Sequence, residues 1–199
     1  MVVNQSFGIA NRFPPYAKNV LGFIPVDGAL GLAPTAITPN NVTSFFYNIA
    51  ASLDQKVLSI WLESSNNLST QTLQSTVTLG GRDDEHCSAE KWFYTPQADP
   101  SYWSFTLDSI TIGANNLNVT QTKTQTVAQK AFMYHYNFLI AGPDEHIDFI
   151  AKSIGAEEAG NYYSISCDKS VAPHISFTIG NHNITLTPDD YVLSVITFF

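Results

Sequence analysis

Most of the chain falls into short segments in which apolar and polar positions alternate, closed by turn residues. KVLSIWLES (56–64) and STVTLGG (75–81) run apolar or alternating up to polar and glycine breaks. WFYTP (92–96), YWSFTLDSITIG (102–113), HISFTIGNHNITLT (174–187) and YVLSVITFF (191–199) are rich in β-branched and aromatic residues. Side chains of that shape pack on a pleated, half-buried surface, so the pattern predicts strands and a mostly β fold. Gly80-Gly81 closes one strand, Ile112-Gly113-Ala114-Asn115-Asn116 separates two, and Gly180-Asn181-His182-Asn183 joins two as a short hairpin.

Two segments change period. Thr43 to Leu53 sets Phe46, Ile49, Ala50 and Leu53 at helical spacing. Pro143 to Ile154 opens with proline at the first turn and Asp144 and Glu145 near the positive helix end, then places Ile147, Ile150, Ala151 and Ile154 on one face. No low-complexity linker or short-period repeat divides the chain into modules.

Composition narrows the function classes. At 199 residues, 44% hydrophobic and 13% charged, the chain can bury a substantial core. Nine Lys and Arg against seventeen Asp and Glu leave a net charge of −8, which repels phosphate backbones, so nucleic acid is not the expected partner. The longest apolar runs, VLSIWL and YVLSVITFF, are too short to cross a bilayer, and no signal peptide opens the chain. Yet five N-x-[ST] triplets, at Asn4, Asn41, Asn67, Asn118 and Asn183, are candidate glycosylation sites and point to a secretory history. Cys87 and Cys167 could form one disulfide or could each lack a partner.

The chemical motifs that are easy to recognise are missing from the sequence: no phosphate-cradling glycine loop, no G-x-S-x-G elbow, no C-x-x-C pair. Asp83-Asp84-Glu85-His86-Cys87 holds every type of metal ligand, but adjacent positions rarely point at one ion, and it reads as an acidic surface loop. His146, between Glu145 and Asp148, reads as the solvated face of a helix. No metal or cofactor is expected.

The order of segments says more. Asn4-Gln5-Ser6-Phe7-Gly8 is followed by Val26-Asp27-Gly28-Ala29-Leu30-Gly31-Leu32-Ala33, Ser59-Ile60-Trp61-Leu62-Glu63, Thr78-Leu79-Gly80-Gly81-Arg82-Asp83, Tyr102-Trp103-Ser104-Phe105 and Ala141-Gly142-Pro143. This succession resembles the pepsin-like aspartic peptidases, nearly end to end, with the loop ending at Cys87 most similar to nematode members. The resemblance implies a bilobed, mostly β acid-protease fold. About 1–85 would be the end of the amino-terminal lobe with the inter-lobe region, and about 86–199 an incomplete carboxyl-terminal lobe. It implies a peptide or protein ligand in the inter-lobe cleft and a secreted or lysosomal setting. In that family each lobe supplies an aspartate from a D-[TS]-G loop, and the two carboxylates share a proton and activate a water.

No D-T-G or D-S-G occurs in this sequence. The first such loop of the family lies upstream of the N-Q-x-F-G strand, here at residue 4, so the first aspartate is expected to be missing. The second should sit eight residues before Gly142-Pro143. There the frame of Ala131 to Pro143 holds, with Tyr134 at the aspartate position, His135 at the Thr position, Tyr136 at the glycine position and Asn137 after it. A phenol, which ordinarily titrates near pH ~10, stays neutral where an aspartyl dyad works, and an imidazole would be protonated there. A tyrosine in place of a close-packed glycine pushes the loop outward.

The carboxyl end departs as well. Ala172-Pro173-His174-Ile175-Ser176-Phe177 resembles the family's L-P-x-[IV]-x-F strand, but the I-L-G-D segment and the cysteine that would pair with Cys167 do not follow. The chain is thus expected to be truncated at both ends, with open strand edges that invite association. Three readings follow: a pepsin-like endopeptidase by descent whose recorded chain is incomplete, a non-catalytic relative that binds peptides on Tyr134, Tyr136 and Phe138, or an unrelated β-structured secreted protein.

Overall fold

The computed structural model describes residues 4–9, 28–63, 75–88, 92–113, 122–134 and 139–193. They are mostly β, as the alternation predicts. The chain divides into two units, Met1–Trp92 with Pro100–Trp103, and Phe93–Asp99 with Ser104–Phe199.

In the first unit the 3-10 turns Thr35–Ile37 and Pro39–Asn41 lead into helix α1, Phe45–Ile49, extended by a 3-10 turn at Ala50–Ser52. The helix is shorter than the span 43–53 that the spacing predicts, because four aromatic or amide residues in five weaken it. It is held by tertiary packing of Phe46 and Ile49, both buried. Phe46 meets Trp103 edge to face at 5.9 Å, and Trp103 Nε1 donates to the Leu32 carbonyl at 2.8 Å. Gln5 ties the chain start to this helix, accepting from Asn48 Nδ2 at 3.1 Å. Strands β1, Leu58–Trp61, and β2, Thr76–Leu79, pair antiparallel with Leu58 opposite Leu79 and Trp61 opposite Thr76. Gly80 follows at φ 90, a conformation that glycine adopts without steric cost, and its N–H donates to Val57 O at 2.8 Å.

The second unit is built on a four-stranded antiparallel sheet in the order β4-β3-β7-β8. Its strands are β3, Ser104–Gly113; β4, Lys123–Phe132; β7, His174–Ile179; and β8, His182–Leu186. A separate hairpin joins β5, Glu157–Ala159, to β6, Tyr162–Ser164.

Register sorts the sheet into two faces, because residues directly opposite share a side. Ile112 faces Ile175, which faces Leu186 in turn, and Ile110 faces Phe177, which faces Ile184. Helix α2, Asp144–Ile154, covers this apolar side, so Ile110, Ile112, Ile150 and Ile175 form the core, with Ile147, Phe149 and Ile154 packed around them. Ile175 is fully buried, and each such side chain stabilises the fold by about 1.5–3 kcal/mol. The other face is a lattice of hydroxyls: Thr124, Thr111, Ser176 and Thr185 form one row, and Thr126, Ser109, Thr178 and Asn183 the next. Thr111 pairs with Thr124 at 3.0 Å and Ser176 with Thr185 at 2.8 Å.

Helix α2 begins one residue later than expected, with Pro143 as its N-cap rather than in its first turn. It ends at Gly155, φ 77, where Ala156 N–H reaches back to Ala151 O. Helix α3, Pro188–Tyr191, starts from a capping arrangement in which the Thr187 N–H and hydroxyl both donate to Asp190 Oδ2.

Several expectations fail. WFYTP is not a strand: residues 92–96 carry no regular structure. Within YVLSVITFF, Tyr191 closes α3 and Val192 and Leu193 are irregular, while 194–199 lie outside the described residues. The alternation of apolar and polar positions predicts neither β4 nor the β5–β6 hairpin.

Candidate functional site

The loop that holds the chemistry in the resemblance leaves the end of β4. Phe132, the last residue of that strand, pairs with Ser104 on β3, which fixes where the chain exits the sheet. Met133 and Tyr134 follow, exposed by 67% and 57%. The Tyr134 ring meets Phe132 edge to face at 6.1 Å. His135, Tyr136 and Asn137, the other residues of the degenerate loop, lie outside the described residues, as does Phe138. Leu139 and Ile140 resume the chain as exposed apolar residues, and Gly142-Pro143 leads into α2. Tyr134, the Gly-Pro step and the helix thus follow β4 in chain order.

A second cluster is more ordered than the sequence suggests. Asp84, Glu85 and His86 lie on an exposed turn, as the reading of an acidic surface loop has it, but Asp83 is buried. Its carboxylate accepts from the His86 backbone N–H at 3.2 Å and lies 2.8 Å from His86 Nδ1. His86 in turn stacks on Trp61 of β1, with centroids 3.7 Å apart and planes within 11°. An ionised carboxylate can only accept, so the His86 ring nitrogen is the donor, and this hydrogen bond holds the Asp83 carboxyl below its usual range. Arg82 flanks the loop, 3.6 Å from Asp84 and over the Trp92 ring. Aspartate at i and histidine at i+3 is the signal that could have been read; the apolar partner, 25 positions away, was not visible locally.

The reading of His146 is corrected. Instead of facing solvent it is buried, and neither ring nitrogen makes a hydrogen bond among the described residues; Nε2 lies 3.4 Å from Glu145 Oε1. The helix turns Asp148 rather than His146 outward, where Asp148 accepts from Lys152 at 2.8 Å and from the Tyr163 hydroxyl.

Of the candidate glycosylation sites, Asn4, Asn41 and Asn183 are exposed, and Asn67 and Asn118 lie outside the described residues. Cys87 and Cys167 are free thiols. Among the described residues, no three His, Cys, Asp or Glu side chains are placed to hold a metal ion, and no helix is long and apolar enough to cross a membrane.

Known proteins give this geometry its context. The family model described as eukaryotic aspartyl protease matches residues 1–197. Vacuolar protease A of Aspergillus fumigatus is 32% identical over 198 residues, covering 98% of this chain and 46% of that protein. Aspartic protease 1 of Caenorhabditis elegans is 26% identical over 199 residues, covering 98% and 47%. Among solved structures, the aspartic proteinase from Irpex lacteus superposes with a TM-score of 0.62 at 20% identity, over 92% of this chain and 54% of that one, a likeness of fold. The chain spans about half the length of the curated relatives it matches.

Proposed function

This chain belongs to the eukaryotic aspartyl protease family, and on that premise we propose that it carries part of a pepsin-like endopeptidase framework without the family's chemistry. The observation that carries this reading is Tyr134, which follows β4 and precedes Gly142-Pro143 where the family resemblance places the second catalytic aspartate. Peptide hydrolysis by such enzymes needs one ionised carboxylate to take a proton from water and one protonated carboxyl to polarise the scissile carbonyl. A phenol has neither the basicity at acidic pH nor a second oxygen to share the proton. No D-T-G or D-S-G elsewhere in the 199 residues replaces it.

The setting that fits is acidic, secreted or lysosomal, and the ligand is a peptide taken between two lobes, as the family resemblance implies. The nematode likeness of the loop ending at Cys87 belongs to the same reading. The test is hydrolysis of a fluorogenic peptide with hydrophobic residues on both sides of the scissile bond, at acidic pH, with a vacuolar or gastric relative as positive control. No turnover above buffer is expected. Turnover abolished by a transition-state analogue of aspartic peptidases would overturn the reading.

A second reading has its own observation. Phe132, Met133 and Tyr134 present contiguous exposed apolar and aromatic surface at the end of β4. Such surface suits the binding of apolar peptides without cleavage. Screening the folded chain against an immobilised peptide library decides it: no binder, or binding unchanged by Tyr134→Ala, removes this reading.

A further inference from the structure

The two outer strands of the four-stranded sheet differ in how their edges are protected. An outer strand offers unpaired N–H and C=O groups to any passing strand, and natural proteins blunt that hazard with lysines, prolines, bulges or a cover. Strand β4 has such devices. It carries Lys123 and Lys130 and a register shift opposite Leu107 and Ser109, with Ala128 in the left-handed region at φ 47. Strand β8 has no lysine, proline or register shift, and the cover it has is the Phe93 ring, stacked on His182 at its first residue with centroids 4.3 Å apart. His182-Asn183-Ile184-Thr185-Leu186 contains no lysine, proline or carboxylate, pairs with β7 alone among the described residues, and exposes Ile184 by 42%.

What β8 does contain is a glycosylation triplet, Asn183-Ile184-Thr185. We propose that Asn183 is an N-glycan acceptor and that its glycan shields the β8 edge from strand-to-strand association. Asn183 is exposed, and its register partner is Thr178, so it stands on the hydroxyl face and away from the apolar core. Its Oδ1 accepts from Thr178 Oγ1 at 2.9 Å, which anchors the amide through the atom that the sugar does not use. In the transfer, the C1–O bond of a polyprenyl-pyrophosphate-linked oligosaccharide breaks and a bond from C1 to Asn183 Nδ2 forms. The amide nitrogen gives up one proton and the polyprenyl pyrophosphate leaves. Asn4 and Asn41 are exposed too, but neither lies on a strand, so a glycan there covers no edge.

This inference rests on the secretory setting proposed above, and the experiment separates the two. The chain is produced behind a cleavable leader in a eukaryotic secretory host, as wild type, Asn183→Gln, Thr185→Ala and Thr185→Ser. Wild type and Thr185→Ser should share one glycan step on a gel that Asn183→Gln and Thr185→Ala both lack. Folded wild-type protein treated with an endoglycosidase that trims the glycan to its first sugar, leaving the Asn183 amide uncharged, should shift from monomer toward dimer and larger species in sedimentation, an arm that does not depend on variants folding. Secreted protein glycosylated elsewhere but with no step lost in Asn183→Gln overturns the proposal, and so does an unchanged sedimentation profile after deglycosylation. Protein from the native source that bears no glycan, beside leader-driven chain that does, overturns the secretory reading while the acceptor stands.

Discussion

The imidazole of His86 lies flat on the indole of Trp61 while its Nδ1 sits 2.8 Å from the buried carboxylate of Asp83. One residue thus couples strand β1 to the loop that follows β2, through a ring stack on one side and a charge-assisted hydrogen bond on the other.

The first prediction concerns acid stability. The Asp83 carboxyl titrates below its ordinary 3.8, chiefly because His86 hydrogen-bonds to its ionised form. A group whose pKa falls on folding stabilises the folded state above its unfolded pKa and loses that contribution as pH drops through the folded one. Asp83→Asn should therefore lower the urea midpoint at pH 6, with the gap to wild type closing as pH falls below about 3.8. A gap that stays constant down to pH 2 would show that the aspartate acts by shape alone.

At the alkaline end the relevant pair is Tyr163 and Tyr191. The hydrogen bond to Asp148 pushes the Tyr163 phenol up to about 12, and burial pushes Tyr191 to about 12 as well. For Tyr163 the sign is the reverse of Asp83: its contribution to stability is present below pH ~10 and is lost as pH rises through the folded value. Asp148→Ala should return one late-titrating phenol to earlier ionisation in an ultraviolet difference titration and leave Tyr191 late. If both late phenols persist in Asp148→Ala, the contact to Asp148 is not what holds Tyr163.

Gly113, the last residue of β3, has no room for a side chain. A Cβ there would stand 2.7 Å from Thr122 Oγ1 and 2.9 Å from Thr122 Cα. Since the second obstacle is backbone, rotating the threonine cannot relieve it, and Gly113→Ala should cost about 1–3 kcal/mol. Adding Thr122→Ala should recover little of the loss. The urea midpoints of the single and double variants check this, and full rescue by the second change would show the clash to be side chain only.

The sequence made the strands of the core legible because β3 and β7 bury one face, so Ile110, Ile112, Ile175 and Ile179 recur at period two against Ser and Thr. Strand β4 was illegible for the opposite reason. It is an outer strand whose residues are mostly exposed, its alternation is broken at Ala128, and its apolar content is low. The frame around Tyr134 could be read because the Gly-Pro step and the helix face of Ile147, Ile150 and Ile154 survive beside it. The Asp83–His86–Trp61 assembly could not, since the ring stack depends on strand pairing and leaves no local pattern. The burial of His146 is hidden in the sequence because charged neighbours at 145 and 148 suggest a solvated face, whereas 146, 150 and 154 fall on a common stripe.

That stripe carries the last prediction. His146 is buried, yet its ring nitrogens make no hydrogen bond among the described residues, and Glu145, 3.4 Å from Nε2, is two-thirds exposed and cannot desolvate with it. A buried polar group without a partner costs about 1–3 kcal/mol, while an apolar group of similar volume at the same place costs nothing of the kind. His146→Leu should therefore raise stability by about 1 kcal/mol, the lower end of that range, because leucine fills the space imperfectly. His146→Gln, which keeps a buried polar end, should give no gain. Both are read from urea midpoints at neutral pH with unchanged m values. A destabilised leucine variant would mean that the imidazole is partnered in solution, and that the position is held for that contact and not for packing.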